Sequence, residues 1–304
     1  MIKINKYFLL LPLAVFAVQF ACNKKSEHTD NGIEGKTSIL VDQSLIQIIE
    51  DEVSVFENQH NAQITLIPKS EKECLNDFVK GKSKIIVLSR ELNKEEQAVF
   101  KQKKIVPRLT PFAIDGVVFI KNKKSNDSLL VLSDLIDFLN GKNKIIKGLV
   151  FDNPNSSSVR YICKVAGIKE LPQEKVYSFK TNEEVIKYVS ENDGMIGVVG
   201  LNCIVQPKQI NKKYIDDLNI MSVKGIDKKN YVYPSQENLG AGIYPLARVL
   251  HIINCQGYEG LGIGFSSFIA GDIGQRIVET SGLAPVRIPT INIRIRNQIE
   301  KVKK

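Results

Sequence analysis

From Lys36 onward the chain alternates short β-branched runs with amphipathic stretches of helical period, and this alternation limits the fold more than any other feature. "TSILVD" (37–42) reads as a strand, and in "QSLIQIIEDEVSVFENQ" the residues Leu45, Ile48, Ile49, Val53 and Phe56 share one helical face. "QITLIP" is a second strand, stopped by Pro68, and "EKECLNDFVKGK" is a helix closed by Gly81. "KIIVLS" is a third strand, after which Asn93 caps a helix with acids in its first turn. Strands and helices in strict alternation give parallel βαβ units and a covered sheet, so the expected class is α/β.

A second cycle follows. "LTPFAIDGVVFIKN" (109–122) is extended and apolar, "LSDLIDFLNGK" is helical with Gly141 at its end, and "KGLVFDN" is a strand. A helix then starts among Ser156, Ser157 and Ser158 and runs to about Gly167. "KVYSF" and "MIGVVGL" are further strands, separated by a helix capped at Thr181 or Asn182, and a long amphipathic stretch spans about 258–281. Two α/β lobes are expected, with the last segment returning to the first. Their limits are 36–112 for the first part of lobe 1, 113–240 for lobe 2, and 241–304 for the return segment and tail. Gly260, Gly262 and Gly264 lack the preceding strand and tight turn that a dinucleotide site needs.

The N-terminus bears on compartment. Lys3 and Lys6 precede the apolar run "YFLLLPLAVFAVQF", and Ala21–Cys22 offers a cut, so residues 1–21 are expected to be a lipoprotein signal with Cys22 as the acylated residue. The run is short for a transmembrane span, which needs about 20 apolar residues. Residues 22–35 are polar without period and are expected to be a tether. The net charge is +9, and +7 without residues 1–21. The excess could attract anions or a membrane, but the lysines are scattered, so solvated surface is the plain reading and nucleic acid is not expected. Cys74, Cys163, Cys203 and Cys255 have no metal spacing and apolar neighbours, which leaves disulfides and buried thiols both open. No metal or other cofactor is expected.

The strand exits point to the site. "ILVDQSL" leaves its strand through Asp42, Gln43 and Ser44, "IIVLSREL" through Ser89 and Arg90, and "LVFDNPNSSSVRY" through Ser156, Ser157 and Ser158. Ligands of open parallel sheets bind beyond the carboxyl ends of the strands. Helix N-termini there offer free N–H groups and partial positive charge to an oxyanion. Any one of these serines could be only a helix cap; their joint occurrence at successive exits favours an anion site. A hydrolase is disfavoured, since there is no G-x-S-x-G elbow. His28 lies in the expected tether, and His60 and His251 sit in contexts that suggest packing.

Five segments, "LTPFAIDGVVFIKN", "LSDLIDFLNGK", "DGMIGVVGL", "YPLARVLHI" and "GDIGQRIVETSGLAPV", resemble in this order those of the PstS-like phosphate-binding proteins of ABC transporters. The resemblance implies a two-lobed periplasmic-binding-protein fold that closes on phosphate without chemistry, with hinges near 111–116 and 244–248. It also implies an ABC permease as partner and a monomer, while the N-terminal signal leads to the expectation of membrane attachment through lipid on Cys22. The family's site residues fall on Ser44, Ser89, Asp115, Ser156, Ser157 and Ser158. The arginine the family carries just before the triplet is missing, because Asp152, Asn153, Pro154 and Asn155 stand there. Arg160 from within the helix, or Arg90 reaching across, is the expected replacement, and Gln43 and Asn153 are further candidates. Asp115 would accept the proton of hydrogen phosphate, which sulfate lacks. Other readings are a receptor for another oxyanion, a phosphate sensor without transport, or an adhesion lipoprotein.

Overall fold

The computed structural model describes residues 30–289 apart from 126, 143 and 144; the expected signal segment, Cys22 and the tail after 289 lie outside the described residues. β1 (Glu34–Asp42) passes through a 3-10 turn (Gln43–Leu45) into α1 (Ile46–Gln59), and β2 (Asn61–Lys69), α2 (Glu71–Val79), β3 (Ile85–Leu88) and α3 (Lys94–Gln102) follow. β4 (Arg108–Asn122) leads to β5 (Leu129–Val131), α4 (Leu132–Leu139), β6 (Leu149–Phe151), α5 (Ser157–Ala166), β7 (Val176–Ser178), α6 (Asn182–Glu191) and β8 (Ile196–Gly200). Next come α7 (Asn202–Val205), α8 (Lys212–Ile215), β9 (Leu218–Ile220), β10 (Ser222–Lys224), β11 (Tyr231–Val232) and α9 (Gln236–Gly240). The return is β12 (Ala247–Asn254), α10 (Leu261–Ile269), α11 (Asp272–Thr280) and β13 (Ala284–Pro285).

The strands run in the order β2-β1-β3-β12-β4-β8-β6-β7, with β13 and β9 also on β4. β1 is parallel to β2 and β3, as alternation of strand and helix requires. β4 belongs to both lobes: residues 108–116 pair with β12, and 117–121 pair with β8. One continuous strand therefore carries the chain across, and Asp115 lies at the changeover. Separate apolar clusters fill the lobes. Phe56, Phe112, Leu250 and Phe265 are among those packing one face of the first sheet, and Phe78, Leu88 and Phe100 pack the other. Phe119, Leu135, Phe151 and Val185 belong to the second lobe.

Three expectations shift. β2 continues through Pro68 to Lys69 because β2 is an edge strand, where a missing N–H leaves no ladder bond unmade on the open side. The stretch over 258–281 is two helices, broken at Gly271, which is the N-cap of α11. β1 starts at Glu34, inside the segment expected to be a tether, since backbone pairing with Asn61 needs no apolar side chain. The Gly262–Gly264 cluster serves close packing, as a Cβ at Gly264 would collide with the carbonyl of Gly32. All four described cysteines are free thiols.

Candidate functional site

The carboxyl ends of β1 and β3, the N-terminus of α5 and the changeover of β4 meet between the lobes. Ser44 follows β1, and its hydroxyl lies 3.1 Å from that of Ser157 at the start of α5. Ser157 also accepts a bond from Arg248 Nη1 at 3.0 Å. Arg248 comes from β12, directly opposite Asp115 in the β4 register. Its guanidinium grips one carboxylate oxygen of Asp115 through Nε (2.9 Å) and Nη2 (2.7 Å). Both residues are buried, and the other Asp115 oxygen has no partner. Gly200 admits this pair, because a Cβ there would stand 3.4 Å from Arg248 Nη2 and 2.9 Å from Asn202 Oδ1.

The helix start holds the serines for identifiable reasons. Ser156 is the N-cap of α5, accepting from Val159 N and donating to Asp152 Oδ1 at 2.5 Å. Ser157 and Ser158 occupy the first turn, where backbone N–H groups lack helical partners. Both are buried, and the Ser158 hydroxyl is unpartnered. Asp42 caps the turn after β1 by accepting from Ser44 N at 3.1 Å, yet its Oδ2 is buried without a partner. Three carboxyl groups, Asp42, Asp115 and Asp152, thus feel the one Arg248 guanidinium, though only Asp115 is bonded to it.

That imbalance sets protonation. Burial, then the charge of Glu71, raises the Asp42 carboxyl, against the Ser157 hydroxyl and Arg248. Burial pushes Asp152 up to about 7, with the bond from Ser156 opposing it and the Asp42 charge adding to it. Burial disfavours charge on Arg248, but Asp115 and Asp42 outweigh this and raise its pKa further. The arrangement supplies hydroxyl donors, one held cation and unsatisfied carboxyl oxygens, which together suit a small oxyanion that carries protons.

Of the candidates from sequence, Ser44, Asp115, Ser156, Ser157 and Ser158 converge here. Ser89 is buried at the end of β3 and receives Arg160 Nη2 at 3.5 Å. Arg160 is committed mainly to Glu71, at 2.7 Å from Oε1, the same oxygen that Arg90 Nε holds at 2.7 Å. Arg90 also grips both oxygens of Glu96. These two arginines form a rim cluster and do not bond the central serines. Gln43 is exposed and Asn153 half-buried; both line the cavity mouth. His60 packs on Phe56, and His251 Nε2 faces Glu91 at 4.0 Å.

Arg248 went unrecognised as a site residue in the sequence, where it lies in "YPLARVLHI". The available signal was a lone charge inside an apolar strand. Asp42 was visible only as an exit residue, and Asp152 only as the occupant of an arginine's place.

The lobes are closed on one another. Asn202 Nδ2 donates to Ser44 O at 3.2 Å, Tyr161 Oη to Ala247 O at 3.1 Å, and Gln47 Nε2 to Gln206 O. The cavity beside Asp42, Ser44, Asp152 and Ser156 is about 20 Å³, room for about one water. An oxyanion therefore needs the serines to separate before it can enter.

A family model described as a PBP superfamily domain matches residues 26–272. Among curated proteins, none matches the sequence. The fold is similar to that of a substrate-binding protein, assigned to a phosphate ABC transporter, from Clostridium perfringens and solved with bound phosphate. That likeness has a TM-score of 0.68 at 20% identity, covering 83% of this chain and 100% of that one. An ABC-type phosphate transport receptor from Vibrio cholerae gives a TM-score of 0.64 at 15% identity, over 83% of this chain and 100% of the other. PstS from Borrelia burgdorferi gives 0.54 at 23% identity, over 84% and 100%. Identities this low speak for the fold. With the family model spanning most of the sequence and a two-lobed sheet crossed by β4, the chain belongs to the PBP superfamily.

Proposed function

We propose that the chain is an extracytoplasmic receptor that closes its lobes on inorganic phosphate and passes it to an ABC permease, held to the membrane by lipid on Cys22. The observation that carries this reading is the buried Arg248–Asp115 pair touching Ser157, with Ser44 opposite. Lobe 1 offers Ser44, and lobe 2 offers the α5 N-terminus with Ser157 and Ser158; the cation comes from β12, opposite Asp115 on the crossing strand β4. In the open form the anion meets one wall, and hinge closure brings the other. No bond is made or broken. Ser89, Gln43 and Asn153 are proposed to border the ligand, and Arg160 and Arg90 to guard the rim.

Selectivity follows from the unsatisfied acceptors. Asp115 Oδ1 and Asp42 Oδ2 are buried without partners, and each suits a ligand O–H. Hydrogen phosphate supplies that proton; sulfate would set lone pair against lone pair, a penalty of about 1–3 kcal/mol or more. Calorimetric titration of the chain from residue 23, stripped of bound ligand, tests the reading. One-to-one heat with phosphate and none with sulfate is expected; a folded sample silent to both would sink it. Asp152, standing where the resembling family has arginine, favours as a second reading a different oxyanion. Displacement of phosphate by molybdate or tungstate would establish that second reading.

A further inference from the structure

The end of the lobe 1 sheet remote from the serines has its own character. Ile85, Asn254 and Arg108 lie side by side across β3, β12 and β4, which fixes this end as the one away from Ser44 and Ser89. The loop before β3 exposes Lys80, Lys82 and Lys84, the loop before β4 exposes Lys103 and Lys104, and Arg108 is exposed at the first position of β4. The two loops adjoin: Lys103 Nζ donates to Val79 O at 2.5 Å, and the Phe78 and Phe100 rings behind them lie 4.9 Å apart. The acid among them, Asp77, is already shared by Lys69 and Lys82 at 2.6 and 2.7 Å. Amid the cations Val106 is 83% exposed and Leu109 is 40% exposed. Lysines that look scattered in sequence are gathered by the fold into one basic surface with apolar side chains in it.

The chain also enters at this end. Asp30 accepts from Tyr258 Oη and Leu261 N, each at 2.8 Å, in the segment that follows β12. Asp30, the first described residue, therefore sits near the basic surface, since the segment it bonds begins at Cys255, whose N–H donates to Lys84 O. Eight residues reach at most about 28 Å, so an anchor at Cys22 would keep this end close to the bilayer.

We propose that this end of lobe 1 is a docking face for an anionic phospholipid surface, with the six cations at the headgroups and Val106 in the interface. Each cation near such a surface strengthens association several-fold, and the attraction reaches about one Debye length, about 10 Å at 0.1 M salt. Docking this way points the cleft away from the bilayer, so it is a resting orientation that the chain leaves to meet the permease of the proposed function. The inference does not depend on which anion the cleft holds.

Hydrogen exchange of the full chain on vesicles tests it. With phosphatidylglycerol in the vesicles, amides of 103–109 are expected to exchange at least about five-fold more slowly than with phosphatidylcholine alone. The difference should vanish at about 0.5 M salt and in the triple variant Lys103→Glu, Lys104→Glu, Arg108→Glu. The milder Val106→Ser should reduce it while the β1 amides, which report folding, stay unchanged. Phosphate titration should be the same in all variants. Equal exchange on the two vesicle types overturns the proposal. So does protection by a DNA duplex that exceeds protection by the anionic vesicles, since the face would then be a nucleic-acid surface.

Discussion

Two arginine clusters stand within reach of the same cleft and differ in what surrounds them. At the centre, Arg248 and Asp115 have side chains 1% and 0% exposed, and the guanidinium touches Ser157. At the rim, Arg160 is 31% exposed and shares Glu71 with Arg90, which in turn holds Glu96. The chemistry of the pairs is alike; burial separates their roles. Out of water the central pair has carboxyl groups in excess, so protons and ligand must settle its balance. The rim has two guanidiniums for two carboxylates and joins α5 of one lobe to α2 and α3 of the other. Under the proposed function the centre takes the ligand in, while the rim ties the lobes together.

The sharpest break of this contrast is Arg248→Met. It leaves Asp115 buried without its cation, which typically costs about 3–5 kcal/mol. Urea unfolding should show that loss, and phosphate heat should disappear. Adding Asp115→Leu should restore most of the stability, because a packed apolar pair replaces a broken ionic one, yet binding should stay absent. A stable double variant that still binds phosphate would remove the pair from the site.

Next in size is the opposite pH behaviour of the two clusters. Asp152 is raised in the folded state from an ordinary 3.8 to about 7, chiefly by burial. Between these values the folded protein holds a proton that the unfolded chain releases. Stability is then greatest near pH 4 and falls as pH rises through about 7, by about 4 kcal/mol at most. Asp152→Asn should flatten that slope in unfolding measured from pH 4 to 8. In the parent protein, phosphate affinity should fall across pH 7 as the carboxylate ionises beside the anion; an affinity that rises there would contradict the site.

These clusters also mark how far the sequence could be read. The βαβ order, the caps at Asn93 and Thr181, and the serine triplet at a helix start were legible, because each is a local matter of period or capping. Arg248 was not, since 132 residues separate it from its neighbour Asp115 and only the antiparallel return of β12 makes them partners. Arg160 was legible as a cation one turn into α5, but its reach across the lobes to Glu71 is a contact no local pattern encodes. The basic face was hidden for the same reason, as two loops separated by a whole helix meet only after folding.

Arg160→Gln tests the rim with a smaller expected effect. A partly exposed pair contributes about 1 kcal/mol or less, so unfolding should shift little. Its loss should show in closure: phosphate release in stopped flow should quicken several-fold, since lobe 2 would lose its hold on Glu71 and Ser89. If Arg160 instead bonds the ligand directly, affinity should drop as steeply as with Arg248→Met, and the division between centre and rim would fail.

The smallest effect belongs to Glu96, and its sign separates the clusters most cleanly. Burial raises its carboxyl, but the bonds from Arg90 and from Asn93 N outweigh that and hold it below the ordinary 4.5. A depressed folded value contributes stability above pH 4.5, and that contribution is lost as acid protonates the folded carboxylate. Solvent screening at this partly exposed position keeps the amount under about 1 kcal/mol. Glu96→Gln should therefore lower stability slightly at pH 7 and progressively less as acid protonates the folded carboxylate, the reverse of Asp152→Asn, which raises stability at pH 7. In the double variant Asp152→Asn, Glu96→Gln the two single effects should add, because the Arg90–Glu96 pair bonds no residue of the central group. Strong coupling between them would mean that the rim and the centre titrate as one network, and that closing the lobes is itself a protonation event.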